Sequence, residues 1–172
     1  MMWKLRLLWW RIDKAVLAFT LFFGGLVGAL VFAATLVFSE RDDRNARARA
    51  FHERSLDCLA RNVYYEARGE PSAGQYAVAE VTMNRQASRL YPKTVCEVVY
   101  QREAFSWTSL EGLEAPEGDA WKRARTVAEE VYYQRRPPSM KGVTHFHATY
   151  VMPEWAAERR RVARIGNHVF YR

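Results

Sequence analysis

The 172-residue sequence predicts a mainly α-helical domain with a small β element, an α+β arrangement, behind one N-terminal membrane-spanning helix. Three observations carry this expectation. Residues 15–38 form a run of 24 positions without a charge. Apolar residues then recur at helical spacing in several later segments. Only towards the C-terminus, in Val143–Tyr150, does the pattern change to the alternation of β-branched and aromatic residues that marks a strand.

The uncharged run comes first in the chain. At about 1.5 Å per residue it spans a hydrocarbon core about 30 Å thick. Residues 1–14 form a basic tail in which Lys4, Arg6, Arg11 and Lys14 face Asp13 alone. With Trp9 and Trp10 as an interfacial anchor, this flank predicts a cytoplasmic N-terminus and an exported remainder. A cleaved signal peptide is the alternative, since Phe32-Ala33-Ala34 resembles a small-residue cleavage site. Its apolar region is normally only about 7–15 residues long, which favours an uncleaved anchor. Gly24 and Gly28 are spaced to let two such helices approach. Residues 39–55 are charged and poor in large apolar side chains; they read as a stalk, helical in character, in which His52 is solvated.

The domain proper is expected over 56–172. Leu56, Leu59, Val63 and Ala67 recur at helical spacing, and Gly69 with Pro71 stops that helix. A second helix follows from Ser72, a residue suited to capping, through Tyr76, Ala79, Val81 and Met83. Residues 91–101 read as a turn leading into a short helix or strand, and 106–119 as a loop. A third helix is predicted over 119–135, with Trp121, Ala124, Val127, Ala128 and Val131 as its stripe and Pro137 and Pro138 beyond its end. The tail Arg164–Arg172 is expected to pair with the 143–150 strand, turning around Gly166 and Asn167.

Charge narrows the function. Residues 55–172 hold 17 basic and 14 acidic side chains, and apart from Arg159, Arg160 and Arg161 the arginines are scattered. A nucleic-acid reader shows a denser basic stripe, so no nucleic-acid partner is expected. Cys58 and Cys96 fall in the exported part, where a pair can close a disulfide; two buried thiols are the alternative.

Glu66 and Glu70 are the first chemical candidates. On one helix, positions i and i+4 lie about 5–6 Å apart on one face. Such a pair cannot flank opposite faces of a sugar ring, as two-carboxylate glycosidases require. If the pair acts, one glutamate moves the proton, and Glu66, following Tyr64 and Tyr65, is the better placed for a desolvated, raised-pKa acid. An ordinary polar helix face fits the spacing equally well. His145 and His147 share a strand face, but a zinc site needs a third ligand and no HExxH or CxxC motif is present. No metal and no cofactor is expected. Aromatic residues make up 14% of the chain, and Tyr64, Tyr65, Phe105, Trp107, Phe146 and Trp155 suit either a core or a sugar-stacking groove.

The blocks "LARNVYYEARGEPSAGQYAVAEVTMNR", "YPKTVCEVVYQ", "FSW", "THFHA" and "IGNHVFY" resemble, in this order, the SleB/CwlJ-type cell wall hydrolases. That family comprises spore-cortex-lytic-enzyme-like proteins and membrane-anchored Gram-negative relatives. The resemblance covers nearly all of 56–172 and implies a lysozyme-like, lytic-transglycosylase-like domain acting on peptidoglycan glycan strands. It implies Glu66 as the single catalytic glutamate, cutting between N-acetylmuramic acid and N-acetylglucosamine by transglycosylation or as a muramidase. Glu70, Gln75 and Asn84 would be supporting or substrate contacts. Ser106, Thr144 and His145 would line the cleft, with Phe105, Trp107 and Phe146 as stacking surfaces. The expected location is the inner membrane by a single pass, with the domain in the periplasm. Two alternatives stay open: a non-catalytic peptidoglycan-binding scaffold, and a metal-dependent amidase.

Overall fold

The computed structural model describes residues 14–172; the basic tail and the Trp9–Trp10 anchor lie outside the described residues, save Lys14. Helix α1 (Lys14–Ala67) runs unbroken through the segments expected to be anchor, stalk and first domain helix. Its N-terminal part is long and apolar enough to cross a membrane. Contacts divide the chain into a unit ending at Arg49 and a second unit, Ala50–Arg172. In the second unit, His52 is not simply solvated: its Nδ1 lies 2.7 Å from the Tyr132 hydroxyl.

Three helices follow α1: α2 (Ser72–Ala87), α3 (Val95–Val99) and α4 (Gly118–Tyr132). Ser72 does not cap α2. The N-cap is Pro71, whose carbonyl accepts from the amides of Gly74 and Gln75, and no side chain caps the helix. The ambiguous 91–101 segment becomes helix because Thr94 and Glu97 form a reciprocal capping box, which satisfies free amides at its start. Within the expected loop, Ser106–Ser109 makes a 3-10 turn that places Trp107 in the core.

The β element has three strands: β1 (His145–Ala148), β2 (Arg161–Ile165) and β3 (His168–Tyr171). The tail is thus a hairpin, and its second strand lies centrally in the antiparallel order β1-β3-β2. Phe146, Phe170, Ala163 and Ile165 face inward with Ala77, Val78 and Val81 of α2. A larger core joins Leu59, Val63 and Tyr64 to Val95, Val99, Val127 and Ala128. A disulfide links Cys58 of α1 to Cys96 of α3, 38 residues on. Closing a loop of that length restricts the unfolded chain by about 4 kcal/mol in the chain-entropy account.

The β2–β3 turn is locked to the end of α1. Glu70 accepts from the Asn167 amide at 2.9 Å and from its side-chain Nδ2 at 3.1 Å. Gly166 has φ +53°, and a Cβ there would run into the Glu70 carboxylate. We therefore expect Gly166→Ala to destabilise the fold by about 1–3 kcal/mol, from left-handed strain and the displaced Glu70 bonds together. Urea unfolding of the two proteins measures this difference.

Candidate active site

The last turn of α1 places Glu66 in a cleft of about 490 Å³. Tyr65 of the same helix, Arg68 in the turn after it, Arg85 of α2, and Phe105, Ser106 and Trp107 form its floor and one side. Phe146, His147 and Ala148 of β1 and His168 of β3 close the other side. Leu110 and Leu113 on one loop and Tyr150 and Val151 on another complete the lining. Glu66 is the single carboxylate among the described residues that line it.

Burial pushes the Glu66 carboxyl up to about 7, and the Arg85 charge opposes that shift. Desolvation disfavours the carboxylate, whereas a nearby cation favours it; here desolvation wins. Arg85 is itself buried. Its Nε donates to the Thr144 carbonyl at 2.7 Å, and its guanidinium lies 5.0 Å from the Phe105 ring centre and 5.6 Å from that of Tyr91. No ion pair between described residues involves it. Burial lowers the Arg85 pKa, with Tyr91 and Glu66 acting in the opposite sense. The cleft thus holds a carboxyl group that gains and loses a proton near neutrality, beside a fixed positive charge. Such a group can give a proton to a bond that breaks and take one back.

The residues expected around Glu66 are divided by the fold. Ser106, Phe105, Trp107 and Phe146 reach the cleft. The broad faces of two of these aromatics are already occupied: Trp107 stacks on Tyr65 at 4.6 Å, and Arg85 lies over Phe105. Trp107 is also tied by its Nε1 to the Asn62 side chain at 2.9 Å. Both rings are buried in the larger core while bordering the cleft.

Glu70, Gln75 and Asn84 are not among the lining residues. Glu70 holds the hairpin turn, Gln75 donates to the Glu70 carbonyl at 3.1 Å, and Asn84 donates to the carbonyls of Met140 and Val143. Thr144 and His145 also lie outside the cleft lining. Strand alternation sends His145 to the outer face, near Tyr91 and Trp155. There burial, followed by the charges of Arg159 and Arg85, lowers its pKa to about 4.

Arg85, Tyr150 and the two loop leucines escaped the sequence reading. His168 is buried, with Nδ1 lacking a hydrogen-bond partner among the described residues, and burial lowers its pKa against the pull of Glu70. Tyr150 is 87% exposed at the rim. Its standing as the single basic residue of α2 was the available signal for Arg85. No local pattern marks the others.

The family model described as Cell Wall Hydrolase matches residues 69–171. The spore cortex-lytic enzyme of Oceanobacillus iheyensis is 31% identical over 123 residues, which are 70% of this chain and 42% of that protein. For the spore cortex-lytic enzyme of Bacillus subtilis the identity is also 31% over 123 residues, 38% of its length. The chain thus spans about two fifths of the length of these curated relatives. Among solved structures, the catalytic domain of the Bacillus cereus SleB protein superposes with TM-score 0.59 at 26% identity, covering 70% of this chain and 91% of that one. The catalytic domain of the germination-specific lytic transglycosylase SleB from Bacillus anthracis gives TM-score 0.58 at 27% identity, covering 69% and 93%. Sequence and fold agree over the same domain, and on that agreement the chain belongs to the cell wall hydrolase family.

Proposed function

We propose that the protein cleaves peptidoglycan glycan strands between N-acetylmuramic acid and N-acetylglucosamine, as a lytic transglycosylase with Glu66 as its one acid and base. The observation that carries this is a lone cleft carboxyl group held near neutral pKa by burial. Glu66 lies just ahead of the span matched by the family model, so its role rests on this geometry. The description of the Bacillus anthracis relative as a lytic transglycosylase supports the reaction type.

Protonated Glu66 donates to the glycosidic oxygen as the bond to muramic C1 breaks. The carboxylate so formed sits within the field of Arg85, which stabilises it until it accepts the proton of the muramic C6 hydroxyl. That oxygen closes onto C1, and Glu66 is again protonated. No proton is left over and no water is consumed. A second carboxylate is not required, which fits the engagement of Glu70 by Asn167. Ser106, His168, Arg68 and Tyr150 are among the polar lining groups available to orient a sugar.

Retention at the cytoplasmic membrane, in place of a cleaved leader, is proposed from the 24-residue uncharged run at 15–38, which is longer than the apolar region of a leader. The Cys58–Cys96 disulfide supports an oxidising compartment for the domain.

The test digests purified sacculi with the full chain in detergent, wild type beside Glu66→Gln, and reads the muropeptides by mass spectrometry. Wild type should release anhydro-muramic ends, and the variant should lose about 10²–10⁴-fold in rate. Reducing ends would reassign the enzyme as a hydrolase, and equal cleavage by both proteins would remove Glu66 from the chemistry. Because the acid form starts the reaction, kcat/KM should fall above about pH 7.

Stability carries an independent signature. The folded chain holds the Glu66 proton more tightly than the unfolded chain, so this group's contribution is full below about 4.5 and lost as pH rises through about 7. Glu66→Gln removes the loss. Relative to wild type, the variant should gain about 1–3 kcal/mol between pH 5 and 8, the upper end applying if solvent in the cleft screens little. Denaturant unfolding across that range measures it.

A further inference from the structure

The outer face of the small sheet, opposite the core, carries charge that the cleft chemistry does not use. Residues 154–172 contain five arginines and two glutamates, an excess equal to that of the whole stretch 55–172. Arg159, Arg160, Arg161 and Arg164 are exposed, and no ion pair between described residues takes up any of them.

A β-bulge aligns two of these arginines. In regular alternation, residues three apart on a strand point to opposite faces. The register of β2 shifts between Arg161 and Ala163, so Arg161 stands opposite Tyr171 and Arg164 opposite Val169. Tyr171 and Val169 belong to the outer face, where they pack with Ala156 and Trp155. Directly opposed residues share a face. Arg161 and Arg164 therefore flank the row formed by Trp155, Tyr171, His147 and His145. Arg159 stands beside the same face, its amide donating to the carbonyl of Ala156, which packs with Val169 and Tyr171. Ala163 and Ile165 meanwhile face the core, as the bulge requires.

From this arrangement we propose that Arg159, Arg161 and Arg164 form a second binding surface, separate from the cleft, that holds the stem-peptide carboxylates of peptidoglycan. The argument for this occupant is charge complementarity combined with position. β1 presents Phe146 and Ala148 to the cleft and His145 to the outer face, and His147 borders both, so the two surfaces share one strand. A wall that enters the cleft brings its other strands, with their peptide carboxylates, against the arginine face. Cationic side chains attract carboxylates through charge, and three aligned ones give attachment that tolerates strand movement. The proposal rests on the reading that peptidoglycan is the polymer being cut.

Binding is tested by co-sedimenting the full chain in detergent with insoluble sacculi, all proteins carrying Glu66→Gln so that strands stay intact. Three proteins are compared: this parent, the same with Arg159, Arg161 and Arg164 changed to Gln, and the same with all three changed to Lys. We expect the glutamine form to bind about tenfold more weakly at low salt, the lysine form to stay near the parent, and the difference to shrink as salt rises through about 0.15 M. Sacculi whose carboxyl groups have been amidated with carbodiimide should bind the parent as weakly as native sacculi bind the glutamine form. Parent-like binding by the glutamine form, equal loss by the lysine form, or undiminished binding to amidated sacculi would each overturn the proposal. Should the glutamine form fail to fold, the amidated sacculi still decide with the parent alone. Muropeptide release by the wild-type chain reports separately on whether peptidoglycan is the polymer cut.

Discussion

Glu80, Asn84 and Arg85 project from α2 into the backbone of residues 139–144, and the sheet side of the molecule depends on that grip. Buried Glu80 accepts from the Met140 amide at 2.5 Å and from the Ser139 hydroxyl. Asn84 donates to two carbonyls, and Arg85 donates to a third. This irregular segment has no ladder of its own, and its polar groups would cost free energy if buried unpaired. Satisfying them from α2 sets the start of β1. The ladder then carries that position through β3 to β2. Residues of an apparently polar helix face thus act as the mould for one wall of the cleft.

The same grip explains why a cation can stand beside Glu66. An arginine held among aromatic rings loses most of its hydration and needs fixed partners. Thr144 supplies a carbonyl, and Phe105 and Tyr91 supply ring faces. Held by these partners, Arg85 forms no close ion pair with Glu66. Burial therefore outweighs the cation, and the carboxyl group stays near the pKa at which proton gain and loss are balanced. The wall next to it is steadied from the far end of the sheet, where Glu70 clamps Asn167 immediately before His168.

Much of the fold was legible because it follows from local rules. The helical stripes at 56–67 and 119–135 correspond to α1 and α4, and the glycine at 166 marks a turn that Glu70 later closes. Capping could be misjudged: Ser72 has the right chemistry, but Pro71 with its carbonyl already serves the start of α2. The expected tail strand starts at Arg164 and does not include the stretch Arg159–Ala163. Pairing with β3 makes part of it a strand, and neither propensity nor alternation announces that.

The candidate site divides along the same line. By itself the sequence determined the helix that ends in Glu66, the unsuitability of an i, i+4 pair as flanking carboxylates, and the aromatic character of the surroundings. Those properties need only helix geometry and residue chemistry. Tertiary structure alone decided that Glu70, Gln75 and Asn84 serve the backbone, that His145 faces outward, and that Arg85 lies beside the cleft carboxyl. Desolvation, the charge that opposes it and the face on which a side chain lies are set by what packs against a residue, and here those partners come from segments tens of residues away.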